Sequence, residues 1–222
     1  MPQLRYKEDI MKLKLVKGLT CLMLLSAVLG GCGQDGKLDE TSVYIRKDGS
    51  VSSAVYEAFD TKVYSKEELQ VFVEDAVRAY NQSQSGAAEA YMDDTDEALS
   101  VAIGSLEVEG ENAVLTMEYA SCEDYLQFNE SEGSIAQLAS GTVSGAMEAG
   151  IDMSQFELLG TKDTEKTNGA DVEGDYHVVF VEGTAAVVVE GTIQYATEDV
   201  QIEDDDTAQV SSSGALSCIV FK

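Results

Sequence analysis

The rhythm of apolar and polar positions changes several times along this chain, and each change predicts an element. Residues 18–29, GLTCLMLLSAVL, are apolar on every side, with no polar face to turn to water. They are too few to span a bilayer, which takes roughly 20 apolar residues. Lys12, Lys14 and Lys17 precede them, and Gly30 and Gly31 follow. A basic start, a short apolar middle and a small-residue end make a secretory signal. Residues 65–82, SKEELQVFVEDAVRAYNQ, keep the helical period instead. Leu69, Phe72, Val73, Ala76, Val77 and Tyr80 form an apolar stripe, with Glu67, Gln70, Glu74 and Arg78 opposite. Ser65 and Glu68 supply a capping box at its start.

Elsewhere the period is mostly two. TSVYIRKDGSVSSAVYEAF reads as two strands about a turn at Lys47-Asp48-Gly49. After a polar stretch, 81–98, expected to be flexible, ALSVAIGSLEVEGENAVLTMEYA gives a second hairpin. It turns near Glu109–Asn112, and Leu115, Met117 and Tyr119 share one face of the return strand. Ser121 caps a short helix, CEDYLQFN. Residues 134–150 are ambiguous: Ile135, Leu138 and Met147 have helical spacing, whereas Gly141 and Gly145 each cost a helix roughly 1 kcal/mol. The last third breaks into FELLGT, YHVVFVEG, TAAVVVEG, TIQYA, DVQIED and ALSCIVFK, separated by Gly, Asp and Ser turns. Glu182-Gly183-Thr184 recurs as Glu190-Gly191-Thr192, which reads as one hairpin rhythm. ALSCIVFK is apolar on both alternating faces, as a strand covered on both sides would be. Strands outnumber helices without regular βαβ alternation. The expected class is therefore α+β: a single domain whose curved, mainly antiparallel sheet packs on the long helix and shorter ones.

The end of the apolar run carries more than a small-residue boundary. Leu29-Gly30-Gly31-Cys32 resembles the lipobox of bacterial lipoproteins, a leucine and two small residues before a cysteine. Gly30 is not the commonest residue at its place in that motif. The resemblance implies that the Cys32 thiol receives a diacylglyceryl group. It further implies that a peptidase cuts between Gly31 and Cys32, making Cys32 the mature N-terminus. Two acyl chains supply the double signal that stable anchoring needs. On this reading residues 1–31 are a signal peptide and 32–41 a lipidated cysteine with a proline-free, flexible tether. Residues 42–222 form an extracytoplasmic domain at the cell membrane. The acidic pair Glu8-Asp9 sits poorly in a signal peptide, and Met11 opens a tidier one, so Met11 is the expected start of translation. A second, looser resemblance covers most of the remaining chain. The order of lipobox, VYIRKDGSV, YSKEEL, a helix ending YN, FN after a short helix, and terminal CIVFK is similar to lipoproteins of Clostridia-type gut bacteria with no assigned activity.

Charge narrows the partners. The whole chain carries a formal charge of −27. The segment before Cys32 holds five of the 14 basic residues and two of the 41 acidic ones, leaving nine against 39, or −30. Phosphate binding needs Lys/Arg clusters, so nucleic acid is excluded as a partner. Like charge also holds the domain off an anionic bilayer, leaving the lipid as the link to the membrane.

Candidate chemistry is sparse. His177, the one histidine, lies in an alternating strand, where a structural role is expected. Neither a nucleophile motif nor a phosphate loop is present, and one His with two distant Cys makes no zinc site, so no cofactor is expected. Cys122 and Cys218 are either a disulfide or two small buried hydrophobes. The acidic runs 93–97 and 203–206 lack the alternation of a calcium loop and read as solvated turns with at most weak cation binding. Tyr44, Tyr56, Tyr91, Tyr119 and Tyr195 are the aromatics available for sugar stacking in a chain without Trp. The expected function is a lipid-anchored binding or interaction module for a protein or small molecule, not an enzyme. The alternatives are a carboxylate-based envelope hydrolase and a structural or chaperone-like envelope factor.

Overall fold

In the computed structural model, which describes residues 41–92, 98–130, 134–162, 165–212 and 214–222, the first alternation folds as β1 (Ser42–Ile45) and β2 (Val51–Ala58). Gly49 closes their turn at φ +89°, where its N–H donates to the Arg46 carbonyl at 3.0 Å. Ser65 caps α1 (Lys66–Gln84), with both halves of the capping box formed. The second hairpin is β3 (Val101–Glu109) and β4 (Asn112–Tyr119), and Leu115, Met117 and Tyr119 turn to the main core as their spacing predicts. Ser121 caps α2 (Cys122–Phe128).

The ambiguous stretch divides into β5 (Ile135–Thr142) and α3 (Val143–Glu148), which Thr142 caps. A bulge between Ile135 and Gln137 brings Ile135 and Leu138, three apart, to the same core, so this strand carries helical spacing. Then come β6 (Glu157–Gly160), β7 (Lys166–Asn168), β8 (His177–Val189), β9 (Ile193–Thr197), β10 (Val200–Ile202), β11 (Thr207–Ser211) and β12 (Ser217–Phe221). Among the described residues these strands form one 12-stranded, mostly antiparallel sheet with three α-helices. The main path runs β3-β4-β2-β1-β8-β12-β9-β6-β7, with β5 and β11 also on β8 and β10 on β11. The β1–β8 pair is parallel.

The two segments YHVVFVEG and TAAVVVEG are one 13-residue strand, not a hairpin, and this corrects the reading from the repeated tripeptide. The first part of β8 pairs with β5 and β12, and the second with β1 and β11. Gly183 sits at the changeover with φ +140°, and a Cβ there would collide with the Ser134 carbonyl oxygen. The hydrogen bonds continue through it: Ser212 N–H donates to Gly183 O at 2.9 Å, and Thr184 N–H to Ser134 O at 3.0 Å. Only at the second copy does the strand end, where Thr192 N–H turns to the Lys222 carbonyl.

Alternation along β8 and β12 feeds two cores. Val179, Val181, Ile219 and Phe221 join Val73 and Val77 of α1 with Met117 and Tyr119. Val178, Phe180, Cys218 and Val220 join Val143 and Ala146 of α3 with Phe156 and Leu158. All five residues of β12 are buried between β8 and β9, as a strand apolar on both faces should be. Ala215 and Leu216 fall outside the strand and are exposed.

The stripe of α1 is rotated from its expected position. Val73 and Val77 are buried, each contributing about 1.5–3 kcal/mol, but Phe72 and Ala76 stay exposed. The polar Asn81 is fully buried in their stead. Its Nδ2 donates to Glu89 O at 2.9 Å and Val101 O at 2.7 Å, and its Oδ1 accepts from Val101 N–H at 3.0 Å. This one side chain ties the end of α1 to the start of β3. The segment expected to be flexible is partly ordered for the same reason: α1 runs to Gln84, and Ala87 and Ala90 are buried.

Two outcomes follow from this packing. Deleting residues 215–222 removes a strand from between its neighbours and should abolish cooperative thermal unfolding; a truncated chain melting like the whole one would show β12 to be peripheral. Asn81→Ala strands buried backbone groups and should cost about 3 kcal/mol in denaturant unfolding, whereas a loss under about 0.5 kcal/mol would mean that those groups find other partners.

Candidate functional site

Gly31 and Cys32, the expected cleavage and lipidation residues, lie outside the described residues, as does the acidic run 93–97. The other acidic run is described. Glu203 and Asp204 N–H groups close a turn on the Thr207 carbonyl, while the Asp205 and Asp206 carbonyls accept from Ile193 and Val189 N–H. The turn is a backbone fastening between β10 and β11, and the described residues hold no cluster of His, Cys, Asp or Glu arranged for a metal.

The nucleophile-class groups are engaged in packing. Cys122 and Cys218 are both free and buried, one in each core, so they form no disulfide. Burial raises the Cys122 thiol and pushes the Cys218 thiol up to about 12. His177 stands half-buried at the start of β8, its ring 5.4 Å from that of Phe221. The tyrosines weighed for stacking are dispersed. Tyr119 is buried beneath Tyr125 and Phe128, and Tyr44 lies under the Arg46 guanidinium, 5.3 Å from its ring centre.

Arg46 also reaches across two strands. Its Nη1 donates to Glu118 Oε2 at 3.0 Å, and Ser52 Oγ donates to the same oxygen at 2.7 Å. This clamp joins β1, β2 and β4, and the VYIRKDGSV motif names its arginine without revealing its partner.

The most organised group of polar side chains surrounds α1. On one flank the Glu74 carboxylate accepts from Gln70 Nε2 at 2.8 Å, Tyr91 OH at 3.0 Å and Arg78 Nη2 at 2.8 Å. The bonds from Gln70 and Tyr91 hold Glu74 below the usual carboxylate range, while burial and Glu74 raise the Tyr91 phenol. On the other flank Tyr80 OH donates to Asp124 Oδ1 and Gln127 Oε1, each at 3.3 Å, and its ring meets Phe128 edge-on at 5.5 Å. Burial, helped by Asp124, pushes the Tyr80 phenol up to about 12. Near neutral pH these groups hold fixed charges and fixed donors. Chemically the arrangement fastens a helix on both flanks and leaves its outward face to solvent.

Sequence spacing identified α1 and its polar residues, but named Tyr91 only as a stacking aromatic; the path of the 85–91 segment brings it to Glu74 instead. Asn81 and Glu118 also gave no signal, because their partners are distant in sequence. Comparison with protein-family models, with curated proteins and with solved structures finds no match for this chain.

A pH dependence follows at the end of the sheet. Burial works to raise the Asp199 carboxyl, but hydrogen bonds from Ser217 and Thr197 outweigh it and hold the group below its ordinary range. A lowered folded value means that the stabilisation is present above the unfolded value of about 3.9 and is lost as pH falls through the folded one. Acid also relieves the repulsion among the other carboxylates, so the clean measure is the difference between wild type and Asp199→Asn at each pH. That difference should be largest at pH 7 and close as pH falls below about 4; a gap that does not change with pH would contradict the assignment.

Proposed function

We propose that this chain is a lipid-anchored binding or interaction module on the extracytoplasmic face of a cell membrane, related to bacterial lipoproteins. The observation that carries the reading is the Leu29-Gly30-Gly31-Cys32 sequence, which closes a basic-then-apolar run ten positions ahead of the first strand at Ser42. A diacylated cysteine there would hold the domain at the membrane by a short polar tether. The formal charge of −30 left once residues 1–31 are removed supports a body held away from anionic headgroups and from nucleic acid.

Binding rather than catalysis is favoured by where the reactive groups lie. Both described thiols are buried with raised pKa values, and the imidazole packs on Phe221. A binding face instead needs a rigid, solvent-facing element, and α1 is fastened on both flanks by Tyr91 and Tyr80.

Anchoring has a direct test. Cells fed an alkyne analogue of palmitate should label the wild-type chain and yield a cleaved, membrane-bound product. Cys32→Ala should lose the label and accumulate as the uncut precursor. Equal labelling of the two would end the lipoprotein reading.

A further inference from the structure

Asn168-Gly169 is the one Asn-Gly step in the chain. It joins β7 to a single turn of 3-10 helix, Gly169–Asp171. A backbone nitrogen that follows asparagine can attack the side-chain amide, and glycine leaves that approach open because it has no Cβ. The fold requires this glycine. A Cβ at Gly169 would stand 2.5 Å from the carbonyl oxygen of Met153, a residue of the second core. It also uses the asparagine. Asn168 Oδ1 accepts from Ala170 N–H at 3.0 Å and starts the turn, while Nδ2 donates to Ser154 O at 3.0 Å. Asn168 is nonetheless exposed, so water reaches it.

The native geometry keeps the pair from reacting. Ring closure needs the Gly169 nitrogen to lose its proton and to eclipse the Asn168 Cβ, which happens at negative ψ. In the folded chain ψ of Asn168 is 136°, and Gly169 N–H donates to the Phe156 carbonyl at 2.9 Å. The nitrogen is turned away and its proton is held. What secures this arrangement is slight. β7 is three residues long, pairs with β6 alone and ends the main path of the sheet. Its ion pair from Lys166 to Glu157 is exposed on both sides and adds little. A short edge strand of this kind opens at less cost than the whole domain.

We infer that Asn168-Gly169 is a deamidation site gated by β7, silent while β7 is paired and reactive when it parts from β6. In the opened chain the Gly169 nitrogen gives up its proton and bonds to Asn168 Cγ. The Cγ–Nδ2 bond breaks, and the amide nitrogen leaves with that proton as ammonia. Water then opens the cyclic imide at either carbonyl, its hydroxyl going to the carbon and its proton to the nitrogen. The product at 168 is aspartate or isoaspartate. Neither restores the native contacts. Both lose the donor to Ser154 O, and isoaspartate adds a methylene to the main chain just ahead of Gly169, which lies tight against Met153. Each opening that reacts is recorded in the chain and leaves β7 looser than before.

The test incubates the full chain at one slightly alkaline pH, folded and in denaturing guanidinium chloride, and follows isoaspartate at 168 by peptide mapping. The folded chain should react at least about tenfold more slowly than the unfolded one; equal rates would remove the gate altogether. Below the unfolding transition the folded rate should climb with denaturant, at a slope shallower than that of global unfolding. A slope equal to the global one, or no slope, would take the gate away from β7. Thr167→Pro disrupts the pairing of Thr167 with Leu158 in the middle of β7 and leaves Asn168 and Gly169 in place. It should bring the folded rate up toward the unfolded one while thermal unfolding stays cooperative. A folded variant that reacts no faster than wild type would overturn the proposal, and if the variant does not fold, the wild-type slope decides.

Discussion

The backbone pairing of β8 is the constraint on which the rest of the molecule depends. Four strands bond to it: β5 and β12 along its first part, β1 and β11 along its second. A side chain at its middle would clash, because the backbone at Ser134–Ile135 passes close to residue 183. Gly183 resolves this by lacking a side chain where the Ser134 carbonyl approaches. Both sets of ladders then share one central strand, and β11 and β12 follow one another along its flank.

That arrangement explains the distribution of burial. β8 and β12 present apolar residues on alternating sides, so one face builds a core with α1 and the other a core with α3. The helices fill these faces and are held laterally by polar contacts, Asn81 to β3 and Tyr80 to α2. With the interior so committed, the carboxylates are left to the surface, where they set the sign of whatever the domain can attract.

Features that depend on near neighbours in sequence were legible there. Ser65 and Glu68 announce the start of α1 because both hydrogen bonds of the box lie within one turn. SCIVF within ALSCIVFK announces a doubly covered strand because apolar residues on both faces tolerate no solvent. Features set by distant partners were hidden. Glu182-Gly183-Thr184 and Glu190-Gly191-Thr192 are identical, yet one continues a strand and the other ends it, since only the first has partners waiting on both sides. Residues β7 and β11 contribute were not singled out, being short and polar. The spacing of α1 gave its amphipathic character but left Phe72 in the wrong set. A stripe at 69, 72, 73, 76, 77 and 80 differs from one at 69, 73, 77 and 81 by a small rotation, and burying Asn81 chooses the second. The Leu29-Gly30-Gly31-Cys32 resemblance also rests on adjacent residues, and it concerns location, not the shape of the domain.

Native-state hydrogen exchange along β8 tests the role given to this strand most directly. If the two ladders form one unit through Gly183, the amides of Val178–Val181 and Ala185–Val189 should share one protection level. It should be the highest in the chain and should fall with denaturant at the slope of global unfolding. Amides on the two sides of Gly183 that open in separate steps, with different slopes, would contradict the account and divide the sheet into two independent units.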